Sequence, residues 1–294
     1  MKRVFDRLVD RIALTVRIAF NIDQKFRVGK STINLPPDHL LRRYQKYYKQ
    51  YDRFLSHLVK YLDEGAVVID VGANVGDTVA AMVAANNKLR YVCIEADDDF
   101  FDYLIRNETV LMHDNPGVVI DSYKCLIGLS VTGVTLQGVG GTKHAERSED
   151  TEALKSKTLD ELIGEIDCAP ISLIKSDVDG YDYDVIDSAE QSISKNNCLL
   201  FFECQYDNEE QFDGYKNCLD RIGTLGYDRF AIFDNFGGLI ASSVAKEVVF
   251  ELMNYVRGQN DGDSLRTINY FDILAYTRTH DPLVSSVLAD YGQL

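Results

Sequence analysis

The chain has 294 residues, 46% of them hydrophobic, and a formal charge of −15, enough to bury a full core in one large domain or in one domain with an appendage. The acidity argues against nucleic acid as a bulk partner. No apolar run approaches the roughly 18 residues of a membrane span, and the N-terminus lacks the compact apolar stretch and cleavage site of a secretory signal, so a cytoplasmic protein is expected.

Residues 1–30 carry Val4, Leu8, Ile12, Val16 and Ala19 on one stripe, which predicts an amphipathic helix. Pro36-Pro37 breaks the chain. Asp38 is placed to cap a second helix that reaches Leu62, contains Tyr44, Tyr47, Tyr48, Tyr51 and Tyr61, and is closed by Gly65. Residues 1–61 therefore read as an N-terminal helical extension and 62–294 as the main domain. The first 60 residues hold 14 Lys and Arg against 5 Asp and Glu, leaving 17 against 41 for the remainder. A basic head on an acidic body suits a homodimer face, peripheral contact with an anionic membrane, or capture of an anionic substrate; the alternative is a solvated helical face. Its Tyr and Arg residues from Arg42 to Arg53 also suit a lid that stacks on sugar rings.

From Val67 onward, apolar runs alternate with helical spacing. Strands are predicted at 67–71, 90–95, 118–127, 171–176, 198–203, 228–233 and 270–276, and helices at 77–85, 98–106, 182–194 and 212–225. That order implies βαβ units and a doubly wound, Rossmann-like, mostly parallel sheet. The polar stretches 137–157 and 257–268 are predicted loops, the first of a kind that closes over a substrate. Six scattered cysteines, with no Cys-x-x-Cys pair and no His at ligand spacing, read as reduced and mostly buried thiols.

The most informative segment is Val67-Val-Ile-Asp-Val-Gly-Ala-Asn-Val-Gly-Asp-Thr-Val79. It reads as a buried strand, a tight turn and the start of a helix, an arrangement that brings backbone N–H groups to a ligand. Glu95, at the end of the next strand, is placed to accept hydrogen bonds from both hydroxyls of a ribose. The turn lacks the Gly-x-Gly-x-x-Gly of a dinucleotide site. Asn74 and Asp77 suit a zwitterionic amino-acid tail instead, which points to S-adenosyl-L-methionine. Gly72 and Gly76 would allow backbone approach, Asn74 and Asp77 would hold the methionine end, Glu95 the ribose, and Leu126 the adenine. Asp70, inside the strand, would orient the turn, and Asp97 or Asp98 would cap the following helix. A strand-to-helix turn with glycines for geometry alone is the competing reading.

Three further motifs follow in order: Lys157-Thr-Leu-Asp-Glu-Leu162, Ile171-Ser-Leu-Ile-Lys-Ser-Asp-Val-Asp-Gly-Tyr-Asp-Tyr-Asp-Val-Ile186 and Leu199-Leu-Phe-Phe-Glu203. Together with the turn at 71–76 they resemble the FkbM-type S-adenosylmethionine-dependent methyltransferases over roughly residues 62–235. Asp179 and Asp182 stand where that family usually has Glu, and Tyr181 replaces a small residue, which would reshape the acceptor pocket. The resemblance implies a class I methyltransferase fold with a seven-stranded sheet whose last strand is antiparallel. It also implies O-methyl transfer, commonly to a sugar hydroxyl of a glycan, glycolipid or glycosylated metabolite. A non-sugar acceptor and a catalytically silent S-adenosylmethionine-binding module are the alternatives.

The residues agree with that implication. Asp177 and Glu203 end apolar strands whose C-termini face the crevice of an open α/β sheet. A sugar hydroxyl is a poor nucleophile at neutral pH, so a base or a metal is expected to help remove its proton. In one version Asp177, Asp179 and Glu203 hold Mg²⁺ or Mn²⁺. In the other, Asp177 or His144 acts alone as base, and Lys175 pairs with the acids and orients them. The plainer readings are an N-cap for Asp179, a carboxylate binding loop N–H groups for Glu203, a solvated loop residue for His144 and a snorkelling side chain for Lys175.

Overall fold

The runs Val67–Val71, Arg90–Glu95, Ile171–Ser176 and Leu199–Cys204 are buried along nearly their whole lengths, as strands covered on both faces must be. The computed structural model describes residues 2–129, 134–137, 144–147, 156–166, 168, 170–259 and 268–293. In chain order the strands are β1 (Gln24–Val28), β2 (Ser31–Leu35), β3 (Val67–Val71), β4 (Arg90–Glu95), β5 (Val119–Lys124), β6 (Leu126–Ile127), β7 (Val134–Gln137), β8 (His144–Arg147), β9 (Ser156–Lys157), β10 (Ile171–Ser176), β11 (Leu199–Cys204), β12 (Arg229–Asp234), β13 (Leu239–Val244) and β14 (Phe271–Tyr276). The helices are α1 (Lys2–Ala19), α2 (Leu41–Tyr47), α3 (Phe54–Leu58), α4 (Asp77–Ala85), α5 (Asp98–Asp114), α6 (Leu159–Ile166), α7 (Asp182–Asp187), α8 (Glu190–Asn196), α9 (Glu209–Thr224), α10 (Lys246–Gln259) and α11 (Asp281–Tyr291).

Eight strands form the main sheet in the order β13-β12-β14-β11-β10-β3-β4-β5. β5, β4, β3, β10 and β11 are parallel neighbours, and β14 runs antiparallel between β11 and β12. This is the doubly wound sheet expected, with the antiparallel last strand in place. The eighth strand, β13, extends the expected seven by pairing antiparallel with β12. It is largely exposed along its length, so it carries no apolar run that would announce it. The chain order reverses between β3 and β10, which opens a crevice at their C-terminal ends. No helix among the described residues is long and apolar enough to cross a membrane.

The N-terminal region departs from the expected pair of long helices. α1 stops at Ala19, and residues 24–35 form the β1–β2 hairpin. The second helix is broken into α2, α3 and a short 3₁₀ turn at Val59–Tyr61. Asp38 is not the N-cap of α2: that residue is Leu40, with no side-chain cap. Tertiary packing overrides local propensity. Tyr48 leaves the helix to stack on Phe236, ring centroids 3.8 Å apart, and Phe54 packs against Phe201 and Phe233. Ile33, Leu35, Phe54 and Leu58 share one buried cluster with Val68 and Leu173 of the sheet and Val79 of α4, so residues 31–58 are built onto the sheet.

Helix α4 begins at Asp77 and α5 at Asp98, as the spacing predicts. Asp97 is the N-cap of α5: its Oδ1 accepts from the backbone N–H groups of Asp99 at 3.0 Å and Phe100 at 3.1 Å. Asp97→Ala is expected to cost about 1 kcal/mol, read as a lower urea midpoint at constant slope. The helix expected at 182–194 is two, α7 and α8. At the break the Ser188 hydroxyl donates to the Val185 carbonyl and accepts from Leu159 N–H of α6. All six cysteines are free, five of them buried.

Candidate active site

β3 delivers the chain to the turn with two backbone requirements. Gly72 has φ +71° and Asn74 φ +50°, the left-handed region that Gly and Asn enter most readily. A Cβ on Gly72 would also overlap the carbonyl oxygen of Asp177. Gly72→Ala is therefore expected to lose about 2–3 kcal/mol of stability in urea titration and to part the ends of β3 and β10.

The turn is held from both sides. Gly72 and Ala73 N–H donate to the Ile94 carbonyl at the end of β4. Glu95, the next residue, accepts from Asn74 N–H through Oε2 and from Asp97 N–H through Oε1, both at 2.8 Å. Burial raises its carboxyl above the usual range, and these N–H bonds oppose the rise. From β10, Lys175 Nζ lies 2.8 Å from Asp70 Oδ1 and donates to the Gly72 carbonyl at 2.9 Å. Burial opposes its charge, but Asp70 and Asp177 outweigh burial and hold it protonated.

Three clefts converge on this scaffold. The first lies between Gly72, Asn74, Glu95 and Leu126, with Phe100 and Tyr181 on its walls. The second, about 270 Å³, passes Gly72, Asn74 and Asp77 and is walled by His39, Tyr44, Tyr51 and Asp52 of the N-terminal region. The third, about 320 Å³, runs toward Glu203 of β11, Asn235, Tyr270 and Asp272. Asp177 and Asp179 border all three.

Asp177 is exposed at this junction, 3.7 Å from Lys175. Asp179 has φ +52°, and its carboxyl is pushed up to about 7 by burial and then by the neighbouring charge of Asp177. Glu203 and Asp272 pair in register across β11 and β14. Burial first, and Asp177 next, drives both carboxyls well above the usual carboxylate range.

A family model described as "Methyltransferase FkbM domain" matches residues 70–230, more than half of the chain. The chain belongs to the FkbM methyltransferase family. Among solved structures, methyltransferase FkbM from Methylobacillus flagellatus KT aligns at 14% identity with a TM-score of 0.41, over 78% of this chain and 50% of that one. The chain thus spans about half the length of that relative. An O-methyltransferase from Bacillus cereus, solved in complex with SAH, aligns at 10% identity and TM-score 0.44, over 77% of this chain and 80% of that one. The METTL16 MTase domain aligns at 11% identity and TM-score 0.46, over 85% and 74%. No curated protein matches the chain.

In this FkbM-family chain, Gly72, Asn74, Glu95 and Leu126 come together in the first cleft and Asp77 in the second. Gly76 does not line them. It has φ +81° before α4, and a Cβ there would lie 2.9 Å from Leu104 Cδ1, so it admits the close approach of α5. Tyr181, expected at the acceptor pocket, lines the first cleft. Asp179 is not an N-cap; Tyr181 precedes α7 and makes no side-chain cap. Asp182 instead accepts from Ser176 Oγ at 2.6 Å and Val178 N–H at 3.2 Å. Lys175 sits between the acids, with a buried side chain that braces the turn. His144 is in the backbone of β8, opposite Gln137; its side chain lies outside the described residues, as do residues 138–143 and 148–155 of the expected loop and 260–267 of the second.

The metal site expected at Asp177, Asp179 and Glu203 is not formed. Among the described residues no group of three His, Cys, Asp or Glu side chains could hold a metal ion. Asp177 faces the ammonium of Lys175, while Glu203 pairs across the sheet with Asp272.

Asp52, Asn235, Tyr270 and Asp272 went unread in the sequence. The signal for the last two was present: a final antiparallel strand begins at the sheet edge where its parallel neighbours end, so polar residues at its start share their crevice. Asn235 directly follows a strand and was legible by the same rule. Asp52 depends on how the N-terminal segment folds back, which local pattern does not encode.

Proposed function

We propose that the chain transfers the methyl group of S-adenosyl-L-methionine to a hydroxyl of a sugar acceptor on a glycan, glycolipid or glycosylated metabolite. The observation that carries the reading is the meeting of three clefts at Asp177 and Asp179. A slot of about 90 Å³ lined by Glu95 and a passage past Asn74 and Asp77 lead to one edge of a chamber walled by tyrosines and polar groups.

The residues fit that donor. Glu95 retains lone pairs beyond those taken by Asn74 and Asp97 N–H, available to ribose hydroxyls. Asn74 and Asp77 offer an amide and a carboxylate to an amino-acid tail. Bound there, S-adenosylmethionine supplies an electrophilic methyl carbon on a sulfonium. The remaining work belongs to the chain: Asp177 and Asp179 orient the acceptor hydroxyl about 3 Å from the methyl, in line with sulfur. The hydroxyl proton passes to the Asp179 carboxylate as the O–C bond forms. The Tyr44 and Tyr51 rings offer faces on which sugar C–H groups stack.

The test is transfer of labelled methyl to a panel of sugars and of hydroxylated non-sugars. Label in sugar hydroxyls supports the reading; label confined to non-sugars, or no transfer, rejects it. Glu95→Gln is expected to weaken S-adenosylmethionine binding roughly ten- to a hundredfold in calorimetry, the range for losing a charged hydrogen-bond acceptor. Unchanged affinity would place the ribose elsewhere.

A further inference from the structure

We propose that the acceptor carries a protonated amine, as an amino sugar does, and that Glu203, Asp272 and Asn235 at the far end of the chamber recognise its ammonium group. The inference rests on the methyl-transfer reading and names the acceptor class it leaves open.

Two side chains point to a missing donor. Glu203 is 7% exposed and Asn235 6% exposed. Both line the third cleft, and Oε2 of Glu203 and Oδ1 of Asn235 are buried without a hydrogen-bond partner. Buried acceptors are rarely left empty in a folded protein, because each then bears its full desolvation penalty. Oδ1 of Asn235 accepts, and Oε2 of Glu203 accepts once its carboxyl is ionised, a form that a neighbouring cation favours, so the group that completes both donates and carries positive charge.

The two cationic side chains on the walls do not supply that donor. Lys175 is engaged by Asp70 and the Gly72 carbonyl, and Arg53 donates to Gln45 Oε1 at 2.8 Å. A second set of acids reinforces the demand for positive charge. Asp272 pairs directly with Glu203, and Asp52 enters from the N-terminal segment. Burial and their neighbours' negative charges drive the Glu203 and Asp272 carboxyls upward, and a cation entering between them favours their ionised, accepting forms. A hydroxyl offers one donor and no charge; an ammonium offers three donors and the charge.

The methyl donor's own amine does not account for these groups. Its expected place is the second cleft, beside Gly72, Asn74 and Asp77, which Glu203, Asn235 and Asp272 do not line. Nor does the chamber suit the anionic substrate that the basic N-terminal surface suggests, since the residues at its far end are acids and neutral acceptors.

The test is binding of four matched monosaccharides to the full chain, read by ligand-observed NMR: glucosamine, glucose, N-acetylglucosamine and glucuronate. Glucosamine is expected to bind at least about tenfold more tightly than glucose or N-acetylglucosamine, with glucuronate weakest. Glu203→Gln is expected to cut that preference to about threefold or less. The wild-type ranking tests the idea even where the variant fails to fold. Equal binding of all four, binding of none, tighter binding of glucuronate, or Mg²⁺ alone binding in a Glu203-dependent way with no amine preference would overturn it. Methyl transfer to neutral sugars without amine preference would sink this inference and spare the methyl-transfer reading. Amine preference without any transfer would do the reverse.

Discussion

Lys175→Met is expected to destabilise the protein by about 3–5 kcal/mol, the loss typical when one partner of a buried ion pair is removed. Lys175 is 3% exposed and Asp70 is fully buried. The variant leaves Asp70 without a counter-ion in the core and removes the N–H donor from the Gly72 carbonyl. Urea titration at pH 8 checks the magnitude, provided the slope is unchanged. The sign with pH is also specific. Burial raises the Asp70 carboxyl even against Lys175, and losing the cation raises it further, so the variant's stability is greatest below the unfolded carboxyl pKa and falls as pH rises through the folded one. The deficit against wild type should therefore shrink as pH is lowered from 8 toward 5. Adding Asp70→Asn should recover part of the loss, because the double variant buries no lone charge. A deficit under about 1 kcal/mol would show that this pair does not brace the turn.

The turn and Glu95 were legible from residues alone. A buried β-branched strand, two glycines and an acid at the end of the next strand obey local rules, and Gly72, Asn74 and Glu95 meet where those rules put them. Asp70 acts as read, orienting the turn, but it does so through Lys175, a contact between strands that no local pattern announces. The third cleft was harder because its parts come from four places in the chain. Glu203 was visible as a strand end. Asp272 needed the direction of the last strand to be carried through to its consequence, and Tyr51 and Asp52 needed the hairpin at 24–35 and the broken helix after it. That segment was misread because its pattern is amphipathic at helical spacing, while its structure is set by Phe54 and Tyr48 seeking partners at Phe201, Phe233 and Phe236.

Asp179→Asn is expected to lower kcat for methyl transfer by about 10²- to 10⁴-fold, the usual contribution of a general base, while leaving S-adenosylmethionine affinity within a few-fold. The substitution is a mild one for the backbone, since Asn tolerates the φ of +52° found there. Because burial and then Asp177 push this carboxyl up to about 7, the working, ionised form gains population as pH rises through that value. Wild-type activity should climb across pH 6–8, and the variant should lose that limb. Stability should move the opposite way. The folded protein holds the Asp179 proton between the unfolded carboxyl pKa near 4 and about 7, so stability falls as pH rises across that window. Asp179→Asn, which has no charge to bury, should therefore be more stable than wild type at pH 8, by about 1–2 kcal/mol after allowance for partial solvent screening. A gain in stability joined to a loss of turnover is the signature of a group kept for its chemistry at the expense of the fold. Were the variant to keep both the wild-type rate and its pH limb, the proton would have to leave by Asp177, and the half-buried, left-handed position of Asp179 would need another explanation.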